Sequence, residues 1–131
     1  MNEIVPHERI EKRIHELRGK KAMLDVDLAD LYSVQTRVLN QAVARNIERF
    51  PVDFMFTLTL EEASASRSQN VNLKRGKNIK YLPRAFTEHG ILMLSSVLRS
   101  ETAIQVNIRI MRTFSKMREM MQGCRELIER I

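Results

Sequence analysis

Five residues within "TRVLNQAVAR" have side chains able to read nucleic acid together: Thr36, Arg37, Asn40, Gln41 and Arg45. On a helix, a rotation of about 100° per residue places Arg37, Asn40, Gln41, Ala44 and Arg45 on one flank. Leu39, Ala42, Val43 and Ile47 then face the opposite way, at the spacing of a buried stripe. An arginine fork matches O6 and N7 of guanine, and an Asn or Gln amide matches N6 and N7 of adenine. The hydroxyl of Thr36, at the helix start, can meet a phosphate with help from the helix dipole. The chemistry indicated is hydrogen bonding to the base edges and backbone of a DNA duplex.

A second group has the chemistry of a phosphate clamp. No acidic residue occurs between Asp30 and Glu48, nor between Glu62 and Glu88. The second gap holds Arg67, Lys74, Arg75, Lys77, Lys80 and Arg84. Within it, "QNVNLKRGKNIKYL" has two extended arms about the turn-like "RGKN", and reads as a β-hairpin wing. Lys74, Arg75, Lys77 and Lys80 on such a wing would follow the DNA backbone and add affinity without sequence choice. A solvated hairpin whose lysines protect its edges is the competing reading.

Catalytic constellations are weak by comparison. His7, His15 and His89 are scattered without metal-ligand spacing. Asp25, Asp27 and Asp30 fit the start of a helix, where the dipole favours negative charge. Glu88 and His89 are adjacent, so on a helix they point in different directions. Cys124 lies within a Met-rich helical seam, and the four glycines form no phosphate-cradling loop. The expectation is a protein that is not an enzyme, with no cofactor, no metal and no small-molecule substrate.

The elements that must carry these residues follow from local signals. "LDVDLADLYS" reads as a first helix with Asp25 as N-cap and Leu28, Leu31 and Tyr32 facing inward. Ala29 is the small residue that lets a second helix approach. Ser33 occupies the turn, where positive φ costs a non-glycine residue about 1 kcal/mol, so the turn either tolerates that strain or is built differently. A second helix then runs from Thr36 to about Glu48, ended by Pro51. Together these predict a helix-turn-helix whose second helix enters the major groove.

Upstream, Gly19 marks a turn between extended pieces at Arg13–Arg18 and Lys21–Leu24, with a helix over Glu8–Leu17 as the alternative. Downstream, "DFMFTLT" reads as a strand with Phe54 and Phe56 on one side. "LEEASASRS" reads as a short helix with Thr59 near its start. "FTEHGILMLSSVL" forms a helix capped by Thr87, and Ser100 caps a last helix running from Glu101 towards Ile131. In that helix Ile110, Phe114, Met117, Met121, Cys124, Ile128 and Ile131 recur in steps of four and three, a heptad seam. Over residues 101–114 the seam reads as a helix packed on its own domain, and over 115–131 either as more of that packing or as a partner seam. The latter predicts a homodimer through the C-terminal helix, with residues 1–114 as the DNA-binding domain and 115–131 as a helical extension.

The whole chain of 131 residues carries 22 Lys and Arg against 16 Asp and Glu, a net charge of +6. Such a balance suits a polyanionic partner such as double-stranded DNA. One cysteine excludes an intrachain disulfide. No apolar run is long enough to span a bilayer and no secretory h-region is present, so no membrane role and a cytoplasmic location are expected.

The blocks "RGKKAMLDVDLADLYSVQTRVLNQAVARNIERFPVDFMFTLT", "RSQ" and "YLPRAFTEHGILMLSSVLRSETAIQVNIRIMRTF" closely resemble the ORF-six N-terminal domain family of phages and bacterial prophages, relatives of the KilA N-terminal and BRO N-terminal domains. The resemblance covers roughly residues 10–118. It implies a small α+β, KilA-N-like DNA-binding domain of the kind found at the front of phage regulatory or antirepressor-type proteins. The chain departs from the pattern at Ser33, where relatives commonly carry Gly, and at His89, where Gln is common. The expected activity is sequence-specific binding of double-stranded DNA by a transcriptional regulator. An antirepressor-type module, capturing another regulator through the Met-rich C-terminal helix, is the alternative.

Overall fold

The structure, a computed structural model, describes residues 7–66 and 82–129. It is a mixed α+β fold with six α-helices and four strands among the described residues. Helix α1 (His7–Glu11) leads into the hairpin of β1 (His15–Leu17) and β2 (Lys20–Leu24). The helix pair α2 (Asp25–Tyr32) and α3 (Thr36–Arg45) follows. Then come β3 (Met55–Thr57), α4 (Leu60–Ser66), β4 (Arg84–Thr87), α5 (Glu88–Leu98) and the long α6 (Glu101–Glu129).

The strands form one antiparallel sheet in the order β1-β2-β4-β3. Leu17 pairs with Lys20, which leaves only Arg18 and Gly19 at the tip of the first hairpin. Both have positive φ, 54° and 78°. That is the signature of a type I′ turn, whose twist matches that of the strands it joins. The extended reading of this region therefore holds, and helix is confined to His7–Glu11. Strand β4 lies between β2 and β3, although "RAFT" carries no strand signal beyond the preceding Pro83. Its partners are remote: Phe86 pairs with both Met23 and Met55.

Alternation along the strands divides the core into two parts. Met23, Met55 and Phe86 point into the larger, with Ile10, Leu28, Leu31, Tyr32, Leu39, Val43, Ile91, Leu94, Ile110 and Phe114 from the helices. Ala22, Leu24, Phe56 and Ala85 point to the other face and pack with Leu58 and with Ala63 of α4. Phe54 does not share the face of Phe56. It precedes β3, and its ring stacks on His89 at 5.5 Å between centroids.

A buried polar pin ties the helices together. The Tyr32 hydroxyl of α2 donates to Asn107 Oδ1 of α6, and Asn107 Nδ2 donates to the carbonyl of Ile91 in α5 at 2.7 Å. Burial pushes ionisation of this phenol well above its ordinary range, so it remains a donor.

Three expectations about element ends change. Asp25 is not an N-cap: Leu24 takes that position with no side-chain bond, and Asp25 is the buried first residue of α2. Helix α3 stops at Arg45 instead of continuing to Glu48. Asn46 turns its amide back onto the carbonyl of Ala42 at 2.9 Å, and residues Ile47–Arg49 tighten into a 3-10 turn. Ile47 is thereby swung into solvent, away from the inward stripe expected of it.

The other caps form as expected. Thr87 accepts from Gly90 N–H at 3.5 Å, and Ser100 accepts from Ala103 N–H at 3.0 Å. Along α6, Ile110 and Phe114 are buried, Met117 is half-buried, and Met121, Cys124 and Ile128 are exposed; Ile131 lies outside the described residues. Among the described residues, no helix is long and apolar enough to cross a membrane.

Candidate nucleic-acid interface

The turn between α2 and α3 is set by backbone bonds. Ser33 adopts φ 64° and ψ 40°, its N–H meets the carbonyl of Asp30 at 3.2 Å, and Val34 N–H meets that of Ala29 at 3.0 Å. This is a Schellman motif, with Val34 packed against the core as its usual apolar companion. Of the two alternatives open at Ser33, the turn takes the strained one, with positive φ. Ala29 is buried with Leu39 and Val43 in one core cluster.

These anchors fix which side of α3 meets water. Arg37, Gln41, Ala44 and Arg45 are exposed, as is Val38, while Thr36 is half-buried at the first turn. Counting about 100° per residue, Gln41 stands near the middle of the exposed arc with Arg37 and Arg45 roughly 40° to either side. The Arg37 guanidinium donates to the side chain of Gln35 at 3.0 Å. Among the described residues, neither Arg37 nor Arg45 takes part in an ion pair. Both can turn towards an external anion.

Asn40 is different. It lies at the edge of the arc, half-buried, and both ends of its amide are engaged. Nδ2 donates to Asp25 Oδ2 at 3.0 Å, and Oδ1 accepts from Arg84 Nη1 at 2.8 Å. The expectation that Asn40 belongs to the free outer flank is therefore corrected. Its amide ties α3 to the start of α2 and to the first residue of β4.

Lys74, Arg75, Lys77 and Lys80, with the hairpin wing expected to carry them, lie outside the described residues. The described chain resumes at Leu82, two residues before Arg84, which bonds to Asn40 of α3.

Several contacts that hold this surface escape a reading of the sequence. Arg18, on the hairpin tip, grips Glu62 of α4 with two bonds of 2.8 and 2.9 Å and lies over the ring of Phe56 at 4.2 Å. Glu62 also accepts from Thr59 N–H at 2.8 Å, while its own N–H donates to Thr59 Oγ1 at 3.1 Å. That reciprocal pair is a capping box, for which "TLEE" is the available signal. The Arg18 guanidinium, with the Thr59 amide, holds the Glu62 carboxyl down at about 2. Asp25 and Arg84 carry no such signal, because their meeting with Asn40 spans 15 and 44 residues.

The residues that could suggest catalysis are engaged elsewhere. Glu88 is bonded to Arg118 at 2.6 Å, and His89 is stacked on Phe54. Among the described residues, no three His, Cys, Asp or Glu side chains are grouped to hold a metal ion.

Comparison with protein families finds the ORF6N domain, whose family model matches residues 12–97. The match begins just after α1, includes the α2–α3 pair and ends within α5. No curated protein and no solved structure matches the chain.

Proposed function

The chain belongs to the ORF6N domain family, a phage-associated domain, and on that premise we propose that it binds double-stranded DNA with sequence preference, as a phage- or prophage-type transcriptional regulator. The observation that carries this reading is the α3 flank, where Arg37, Gln41 and Arg45 are exposed on a helix propped by buried Leu39 and Val43. In the major groove, Gln41 reads a base edge and Arg37 and Arg45 contact guanine or phosphate. Thr36 meets a phosphate at the helix start. Asn40 acts by holding the helix in place. Lys74, Arg75, Lys77 and Lys80 supply backbone contacts that raise affinity for every sequence alike. The protein works by binding, without catalysis or a small-molecule substrate.

Selection from a randomised DNA pool tests the reading. The native chain is expected to enrich a short motif, and Gln41→Ala with Arg37→Ala to lose it while general binding persists. Replacing Lys74, Arg75, Lys77 and Lys80 should weaken all sequences and flatten the log–log salt dependence by about 0.9 for each phosphate no longer neutralised. A motif unchanged by the α3 substitutions rejects the assignment of the reading helix.

An antirepressor-type interaction module is the second reading, favoured by the exposed Met120 and Met121 on α6. Apolar capture of a protein would respond only weakly to salt, whereas DNA binding falls steeply with it.

A further inference from the structure

We propose that residues 117–128 of α6 are the seat of the same helix from a second copy of this chain, and that the two helices run antiparallel. The proposal stands independently of the DNA-binding reading. One apolar stripe runs the length of α6, but its surroundings change partway. Ile110 and Phe114 are buried within their own domain, whereas Met120 (62% exposed), Met121 (56%), Leu127 (64%) and Ile128 (69%) face solvent. Cys124 is exposed on the same face, and Met117 is half-buried at its start. These six side chains offer roughly 500 Å² per copy, or about 1,000 Å² for a pair, the lower edge of a specific protein–protein interface.

The repeat points to the occupant. Met117, Met121, Cys124 and Ile128 keep the alternating steps of four and three that a helix of the same period fills by knobs-into-holes packing. The second copy's α6 has that period.

The fold selects the direction. At its N-terminal end the face is walled by Glu11 of α1 and Lys21 of β2, which line one cleft of about 440 Å³ with Met117, Met120, Met121 and Cys124. A parallel partner would carry its own folded portion onto the space that α1 and β2 occupy. An antiparallel partner places that portion beyond residue 128, clear of both. Antiparallel pairing also closes on itself in register: Met117 meets Ile128 of the second copy, and Met121 meets its Cys124. Each layer occurs twice about the two-fold axis, as an isologous contact requires.

Sedimentation velocity and cysteine cross-linking of the full chain test this. The native chain should show a monomer–dimer equilibrium at micromolar concentration, and Ile128→Glu should raise the dissociation constant at least tenfold. Met117→Cys and Ile128→Cys chains, each also carrying Cys124→Ser, should form a covalent dimer on oxidation only when mixed. In the antiparallel pair the two copies of residue 117 lie about 16 Å apart along the axis, too far for a disulfide. A chain that stays monomeric at 100-fold higher concentration overturns the interface. Cross-linking of Met117→Cys chains with themselves overturns the antiparallel arrangement.

Discussion

Replacing Asn40 by Ala tests whether this residue positions α3 or, under the proposed DNA binding, contacts bases itself. In the structure this amide bonds to the buried Asp25 side chain at 3.0 Å and to the half-buried Arg84 guanidinium at 2.8 Å. A hydrogen bond to a charged group contributes about 1.5–3 kcal/mol net, and more is lost where the abandoned partner cannot rehydrate. Arg84 can recover water and Asp25, fully buried, largely cannot. The loss should therefore be about 2–4 kcal/mol, or roughly a 10 °C fall in Tm for a domain of this size. Gln41→Ala, on the exposed arc, should stay within about 0.5 kcal/mol of the native chain.

Asn40→Asp provides the control. It keeps an acceptor for Arg84 but removes the amide donor to Asp25, so it should recover part of the loss of Asn40→Ala and stay below the native chain. Thermal melts followed by circular dichroism at neutral pH, beside DNA titrations of the folded variants, measure these effects. If Asn40→Ala melts within 1 °C of the native chain yet loses its preferred DNA motif, Asn40 reads bases and its role as a pin is wrong.

Further outcomes follow from other contacts. Gly90→Ala would place a Cβ 2.1 Å from the carbonyl oxygen of Phe54, so α5 must shift from the turn that precedes β3. The cost should be at least about 1–3 kcal/mol in urea denaturation, and an unchanged midpoint would show that the two backbones are not in close approach. Tyr32→Phe leaves Asn107 Oδ1 without its hydroxyl donor and should cost about 1–3 kcal/mol. Adding Asn107→Leu should restore part of that loss, and strict additivity of the two changes would contradict the pin. Ser33→Gly should raise stability by up to about 1 kcal/mol by relieving positive φ, with Tm as the readout. Glu62 titrates at about 2 when folded against an ordinary 4.5, so its strap to Arg18 is complete above about 4.5 and is lost as pH falls towards 2. Glu62→Gln should flatten the acid side of the stability curve in that window; an unaltered slope would remove the strap from the account.

Local signals in the sequence determined a good part of this protein. The periodicity of "TRVLNQAVAR" is enough to place Leu39 and Val43 inside and Arg37, Gln41 and Arg45 outside, because rotation per residue is a property of the helix alone. Thr87 and Ser100 announced their helix starts and Gly19 its turn, each through bonds made within a few residues. Tertiary structure decided whatever depended on distant partners. Strand β4 exists because "RAFT" finds β2 and β3 on either side, a pairing that four residues cannot advertise. Asn40 became a pin because Arg84 arrives from 44 residues away; periodicity assigns a side chain to an edge without saying what will meet it there. The stripe along α6 has the same spacing before and after Phe114, and only the extent of the folded domain determines where it stops being core and becomes surface.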